Sequence, residues 1–123
     1  MTGVQTCALP ISWFSVARLS LLDRGWVWAL AHPRGGGELG RRWYRNGKLQ
    51  HKRNTFLDFI ACAEHLVAER WAHPGRVAIE GGSAGGLLVG ACSTMRPELF
   101  AAVVADVPFV DIVSTMKIGR AHV

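Results

Sequence analysis

No stretch of the sequence is apolar for long enough to cross a membrane, because Arg18, Asp23 and Arg24 interrupt the best candidate. The first residues lack both the basic segment and the continuous apolar segment of a signal peptide. Cysteine is scarce: the chain has three, and their spacing shows no pairs, which favours a reducing compartment over a disulfide scaffold. Together these absences predict a cytoplasmic protein that does not enter a membrane.

Histidines and basic residues are present, but not in the patterns that bind metals or nucleic acids. No histidine pair combines helical ligand spacing with a third ligand, so we expect no metal site, and no motif indicates a cofactor. Basic side chains crowd positions 41–53 beside Trp43 and Tyr44, but no known nucleic-acid-binding module surrounds them. We expect no nucleic-acid partner, and we interpret this segment as a solvated loop or a surface that faces another domain.

The composition fits one globular domain with a modest core. Half of the 123 residues are hydrophobic and 19% are charged, which excludes a disordered chain. The two ends differ from the middle, since residues 1–11 and 118–123 resemble translations of the two strands of a sequencing adapter. We therefore expect residues 12–117 to be a fragment of a longer protein, with an artefact at each end.

The periodicity of apolar residues predicts alternating helices and strands. The predicted elements are a helix over 13–24 that stops at Gly25, a buried strand over 26–31, a helix from Thr55 capped by Asp58, a strand over 76–79, a helix over 85–95 and a buried strand over 101–105. Positions 39–53 are predicted to be irregular, with a turn at 46–47. Right-handed crossovers convert this order into an α/β fold whose parallel sheet has helices on both faces. Because the serine of a Gly-x-Ser-x-Gly motif, Ser83, follows the strand over 76–79, this is the arrangement of a partial α/β-hydrolase.

The most informative stretch is Gly81-Gly82-Ser83-Ala84-Gly85-Gly86, which matches Gly-x-Ser-x-Gly between a predicted strand and a predicted helix. In that context the motif indicates a nucleophile elbow, a sharp turn that exposes the serine hydroxyl. Ser83 is therefore the predicted nucleophile, and the backbone N–H of Ala84 is a predicted donor to the oxyanion. The glycines are expected because the turn leaves no room for side chains. The alternative is a glycine-rich turn that binds an anion or nothing.

A second glycine-rich loop, Arg34-Gly35-Gly36-Gly37-Glu38, follows the first predicted strand. It is similar to the His-Gly-Gly-Gly oxyanion loop of esterases, but that loop precedes two strands before the serine, and here only one intervenes. We therefore predict that the loop shapes the surroundings of the site and does not donate to the oxyanion.

Several motifs in order resemble the prolyl oligopeptidase family. They are residues 19–25, 34–40, 43–44, 54–56, 81–86 and 96–100, and residues 107–111 resemble its oligopeptidase B branch. The resemblance implies a cytosolic serine peptidase that cleaves short peptides after Arg or Lys, with a β-propeller that controls access. It also implies a tyrosine oxyanion donor upstream, and an acid and a histidine downstream of the fragment.

Two further readings of the sequence stay open. The same elbow occurs in esterases and lipases, and a non-catalytic scaffold could carry it for binding. Asp106 or Asp111 with His122 would formally complete the order serine, acid, histidine, but His122 lies in the adapter-like end. Asp106 is interpreted as a residue that caps a loop or supports a residue of the site. The chain as written is therefore expected to be inactive alone.

Overall fold

The computed structural model describes residues 2–4, 14–111 and 113–114. Its centre is a parallel sheet whose strands are β1 (Thr2–Val4), β2 (Ala29–Leu30), β3 (Val77–Gly82) and β4 (Phe100–Asp106). Their spatial order is β2-β1-β3-β4, so the shortest strands occupy one half of the sheet. The parallel α/β architecture predicted from the sequence is confirmed.

Helices connect the strands. They are α1 (Val16–Leu22), α2 (Gly40–Arg45), α3 (Lys52–Ala68) and α4 (Ala84–Met95), with single 3₁₀ turns at Leu49–His51 and Pro97–Leu99. Gly25 adopts a φ of +79° after α1, as predicted for a left-handed helix stop. The turn at Asn46 and Gly47 is also confirmed, because both amides donate to carbonyls of α2.

The core lies between β3 and the two longest helices. Phe59, Ile79 and Val89 are fully buried there, one each from α3, β3 and α4. These helices carry their apolar residues at three- and four-residue intervals, so each presents one apolar stripe to the sheet. The consequence is that the junction between β3 and α4 is held by the best-packed part of the molecule.

Four details of the predicted elements were wrong. The strand predicted over 26–31 forms only at Ala29–Leu30, because its partner β1 is itself three residues long. The strand β4 is largely exposed, since it is the outermost strand of the described sheet. A short helix, α2, lies in the segment expected to be irregular; it buries no residue, so no apolar stripe marks it in the sequence.

The fourth error concerns the start of α3. This helix begins at Lys52, three residues before the predicted Thr55, and has no side-chain cap. Thr55 instead donates its hydroxyl to the carbonyl oxygen of Gly47 at 3.0 Å. Asp58 accepts hydrogen bonds from Arg34. Both side chains that suggested a capping box therefore make tertiary contacts.

Candidate active site

The turn between β3 and α4 has the conformation predicted for an elbow. Ser83 has φ 52° and ψ −114°, outside the regions that residues with side chains favour, and α4 begins at the next residue, Ala84. Ser83 is exposed to solvent. A residue held in such a conformation costs about 1–3 kcal/mol, so the surrounding structure must enforce it.

Backbone hydrogen bonds from the end of β4 enforce the turn. The Ser83 amide donates to the Asp106 carbonyl oxygen at 2.9 Å, and the Phe109 amide donates to the Ser83 carbonyl oxygen at 3.1 Å. The Gly86 amide also donates to that carbonyl at 3.0 Å. Because the backbone of Ser83 is satisfied by other backbone groups, its side-chain hydroxyl is not needed to hold the turn.

The segment just after β4 closes over the turn. Val107 has a φ of 42°, which is rare for a β-branched residue and indicates a second strained position beside Ser83. Pro108 follows and lies against Gly86, where an added Cβ would be 2.6 Å from the proline Cα. The sequence reasoning used these residues only as a family motif and missed their contact with the turn, since nothing local predicts it.

The elbow glycines are not equivalent. A Cβ on Gly81 would lie 2.5 Å from the carbonyl carbon of Gly85 and closer still to its oxygen. A Cβ on Gly82 would meet only the Asp106 carbonyl oxygen, at an ordinary 3.7 Å. Glycine is therefore sterically required at Gly81 and at Gly86, and is not required at Gly82.

Ala84 is the first residue of α4 and is exposed. The amides of the first helical turn have no acceptor within the helix, and the helix dipole adds positive charge there. An oxygen that becomes negative beside Ser83 would thus lie near the Ala84 amide at the positive end of α4. This is the electrostatic arrangement that stabilises an oxyanion.

The second glycine-rich loop is anchored to α3 by an ion pair. Arg34 donates to Asp58 from its backbone amide at 3.0 Å, from Nε at 2.7 Å and from Nη2 at 2.5 Å. Both side chains are partly buried, with 32% and 20% of their surface exposed. The hydrogen bonds from Arg34 hold the pKa of the Asp58 carboxyl below its ordinary value.

Close backbone packing fixes the same loop. Gly35 has a φ of +103°, and its amide donates to the carbonyl oxygen of Trp43 at 3.1 Å. Gly47 approaches the Arg34 carbonyl so closely that no Cβ fits between them. Further along, His32 Nδ1 lies 3.4 Å from Glu38 Oε1. The loop is therefore held by α2 and α3 on one side and by its own charged residues on the other.

The strand register places this loop and Ser83 at the same edge of the sheet. Thr2 pairs with Ala29 on one side and with Ile79 on the other, so the carboxyl end of β2 at Leu30 lies level with Glu80, two residues before the carboxyl end of β3. Arg34 and Ser83 leave these ends two strands apart, a lateral separation of about 10 Å. Ligands of open parallel sheets bind at this edge.

Asp58 is the residue of this region that the sequence reasoning missed. Its partner Arg34 lies 24 positions earlier, and no local spacing connects them. After Ser83, the described residues contain acids at Glu98, Asp106 and Asp111 and no histidine. Asp106 contributes its backbone carbonyl to the turn, and Asp111 accepts from the Ser114 amide at 3.0 Å. The formal candidate His122 lies outside the described residues.

Two features are absent from the residues that the structure describes. No group of three or more histidine, cysteine, aspartate or glutamate side chains is placed to hold a metal ion there. None of the helices found in that part of the chain is long and apolar enough to span a membrane.

A family model described as the prolyl oligopeptidase family matches residues 12–121. The chain belongs to the prolyl oligopeptidase family. It is 55% identical over 103 residues to Protease 2 from Moraxella lacunata, covering 84% of this chain and 15% of that protein. It is 58% identical over 103 residues to dipeptidyl aminopeptidase BI from Pseudoxanthomonas mexicana, covering 84% and 14%.

The chain is also similar to solved structures of this family. Oligopeptidase B from Leishmania major superimposes with a TM-score of 0.85 at 50% identity, covering 94% of this chain and 16% of that one. The resemblance drawn from the sequence motifs, including that to oligopeptidase B, is thereby confirmed. The chain spans only 14–15% of the length of the two relatives named above.

Proposed function

We propose that residues 12–117 are a segment of the catalytic domain of a serine peptidase, and that Ser83 is its nucleophile. The observation that carries the proposal is the conformation of Ser83, a strained and exposed serine at a junction of strand and helix. Membership of the prolyl oligopeptidase family supports it. Residues 1–11 and 118–123 lie outside this proposed domain segment.

In the proposed reaction Ser83 Oγ attacks the carbonyl carbon of a peptide bond. The new C–O bond forms as the carbonyl electron pair moves to oxygen, and the hydroxyl proton passes to a general base. The Ala84 amide donates to the resulting oxyanion. Collapse of this intermediate breaks the C–N bond, the amine leaves with the proton, and water then hydrolyses the acyl-enzyme.

The general base of this proposal is a histidine held by an acid, as in other serine hydrolases. The described residues after Ser83 contain no histidine, so this pair belongs to sequence outside them. Loss of the base alone costs on the order of 10⁶ in kcat, which corresponds to about 8 kcal/mol of barrier. We therefore expect the chain to have no measurable peptidase activity by itself.

The proposed substrates are short peptides cleaved after Arg or Lys. Similarity to oligopeptidase B supports this assignment, and oligopeptidase B from Trypanosoma brucei, 50% identical, has been solved with antipain covalently bound. We further propose that a β-propeller controls access in the parent enzyme and that the enzyme is cytoplasmic. Other members carry the names dipeptidyl aminopeptidase and prolyl endopeptidase, so specificity must be tested against both.

A chimaera provides the test. Residues 12–111 replace the aligned segment of Leishmania major oligopeptidase B, which supplies the remaining sequence at 50% identity. We expect hydrolysis of chromogenic peptides with Arg or Lys before the cleaved bond, and covalent labelling by a fluorophosphonate. Ser83→Ala should abolish both, while Ser93→Ala, a matched change in α4 on a hydroxyl that bonds to the Gly90 carbonyl, should retain them.

Each other outcome excludes part of the proposal. Labelling that persists in Ser83→Ala rejects Ser83 as nucleophile. Hydrolysis of p-nitrophenyl esters without cleavage of any peptide favours an esterase. A folded chimaera that neither hydrolyses nor labels favours a non-catalytic scaffold, and preference for Pro or for free amino termini corrects the specificity.

A further inference from the structure

A cavity of about 480 Å³ lies at the sheet edge opposite Ser83. Its floor is the beginning of β3 and β4, at Val77 and Ala101, and its walls come from the segments before β2 and β3. Gly82 lies five residues further along β3 than Val77, so the cavity is about 16 Å or more from the elbow. It is therefore a separate site, and the proposed peptidase mechanism does not use it.

The walls combine flat apolar surface with positive charge. Trp26 and Trp71 line the cavity, and these residues are 41% and 63% exposed. Arg24 and Arg76 line it as well, whereas no acidic side chain does so. Within the described part of the chain, neither arginine forms an ion pair. Two guanidinium groups beside two indoles are thus left without an anion.

We propose that this cavity binds a small apolar carboxylate, with an aromatic ring against the indoles and the carboxylate on the arginines. The volume falls within the roughly 300–1,000 Å³ of small-molecule sites, which are mostly apolar with a few orienting polar groups. Arginine presents a planar fork that matches a carboxylate, and indoles favour flat rings. A free aromatic acid and a peptide that ends in an aromatic residue share this chemistry.

The tryptophans and the arginines of the cavity together select the class of ligand. A purely apolar ligand would gain nothing from Arg24 and Arg76, and would leave them partly desolvated without a partner. A small inorganic anion would leave the indole surfaces of Trp26 and Trp71 exposed to water. Only a molecule that carries both an apolar ring and a negative charge uses every wall.

The test compares a charged probe with its neutral isostere on the full chain. N-acetyl-L-phenylalanine and N-acetyl-L-phenylalaninamide have the same ring and differ in the carboxylate. Isothermal titration should show binding of the acid at least about tenfold tighter than the amide, the effect of ~1.4 kcal/mol from one charge-assisted hydrogen bond. Gly-Gly-Phe and 3-phenylpropionate distinguish a peptide terminus from a free aromatic acid.

Variants locate the binding. Arg24→Gln and Arg76→Gln should each weaken binding of the acid by about tenfold and leave the affinity for the amide unchanged. Arg41→Gln removes the same charge from exposed α2, outside the cavity, and should leave the affinities for the acid and for the amide unchanged. The indole N–H resonances of Trp26 and Trp71 should shift on titration, and circular dichroism should show that each variant keeps the wild-type fold.

Four results would overturn the proposal. The first is equal affinity for acid and amide, and the second is an equal effect of Arg41→Gln and Arg76→Gln. The third is a concentration-dependent dimer in sedimentation that Trp71→Ala dissociates, which would show that a second copy of the chain fills the cavity. No binding up to about 10 mM of any probe, that is ΔG° weaker than about −2.7 kcal/mol, rejects it as well.

Discussion

Replacing Gly81 with alanine would place a methyl group 2.5 Å from the carbonyl carbon of Gly85. Both glycines are buried, and the atoms approached are backbone at the start of α4, so no side chain can swing away. Overpacking of this kind costs typically 1–3 kcal/mol, and we take about 3 kcal/mol because helix and strand must separate. For a domain of about this size that lowers Tm by about 10 °C or more.

Gly82→Ala is the matched control. The added methyl at Gly82 meets only the Asp106 carbonyl oxygen at 3.7 Å. The variant should be neutral or more stable by up to about 1 kcal/mol, because alanine restricts the unfolded chain more than glycine does. Thermal unfolding of both variants, followed by circular dichroism, measures the difference. Equal Tm values, or a lower Tm for Gly82→Ala, would refute the packing argument.

Three further predictions concern the elbow, the loop anchor and the core. Ser83→Gly should be more stable than Ser83→Ala by about 1–2 kcal/mol in urea unfolding, since glycine accepts φ 52° without strain, and equal stabilities would contradict this. Arg34 lowers the pKa of Asp58 below 3.8, so the stabilisation from this ion pair is present above about pH 4 and is lost as the pH falls further. Asp58→Asn should therefore lower Tm at pH 7 and reduce the decrease in Tm between pH 5 and pH 3. A decrease equal to that of the wild type would contradict this. Burial raises the pKa of Cys92 to about 12. With Cys7 and Cys62 both replaced by serine, Cys92 should therefore react with iodoacetamide at pH 8 only after unfolding, and rapid labelling of the folded chain would show that Cys92 is accessible.

The sequence predicts the parts of the site that local signals encode. The elbow follows from glycine spacing within a strand-to-helix transition, and Gly25 follows from the helix that it ends. The anchor of the second glycine-rich loop does not follow from local signals, because Arg34 and Asp58 meet only through the packing of α3 against the sheet. The same contacts misled the capping prediction, because Thr55 bonds to Gly47 rather than to its own helix. Exposure of β4 likewise depends on which strands lie beside it, a property absent from its apolar sequence.

The order in which the sheet forms follows from its register. Val77 and Phe100 pair across β3 and β4 at a separation of 23 positions, whereas Thr2 and Ile79 pair at a separation of 77. Contacts between distant positions carry a larger loop-closure cost, so they form later in folding. The unit β3–α4–β4 should therefore fold first, and it contains the hydrogen bond from Ser83 to Asp106. We therefore expect the strained turn to form before β1 enters the sheet, so the conformation of Ser83, the proposed nucleophile, should not depend on the strand that joins β2 to β3.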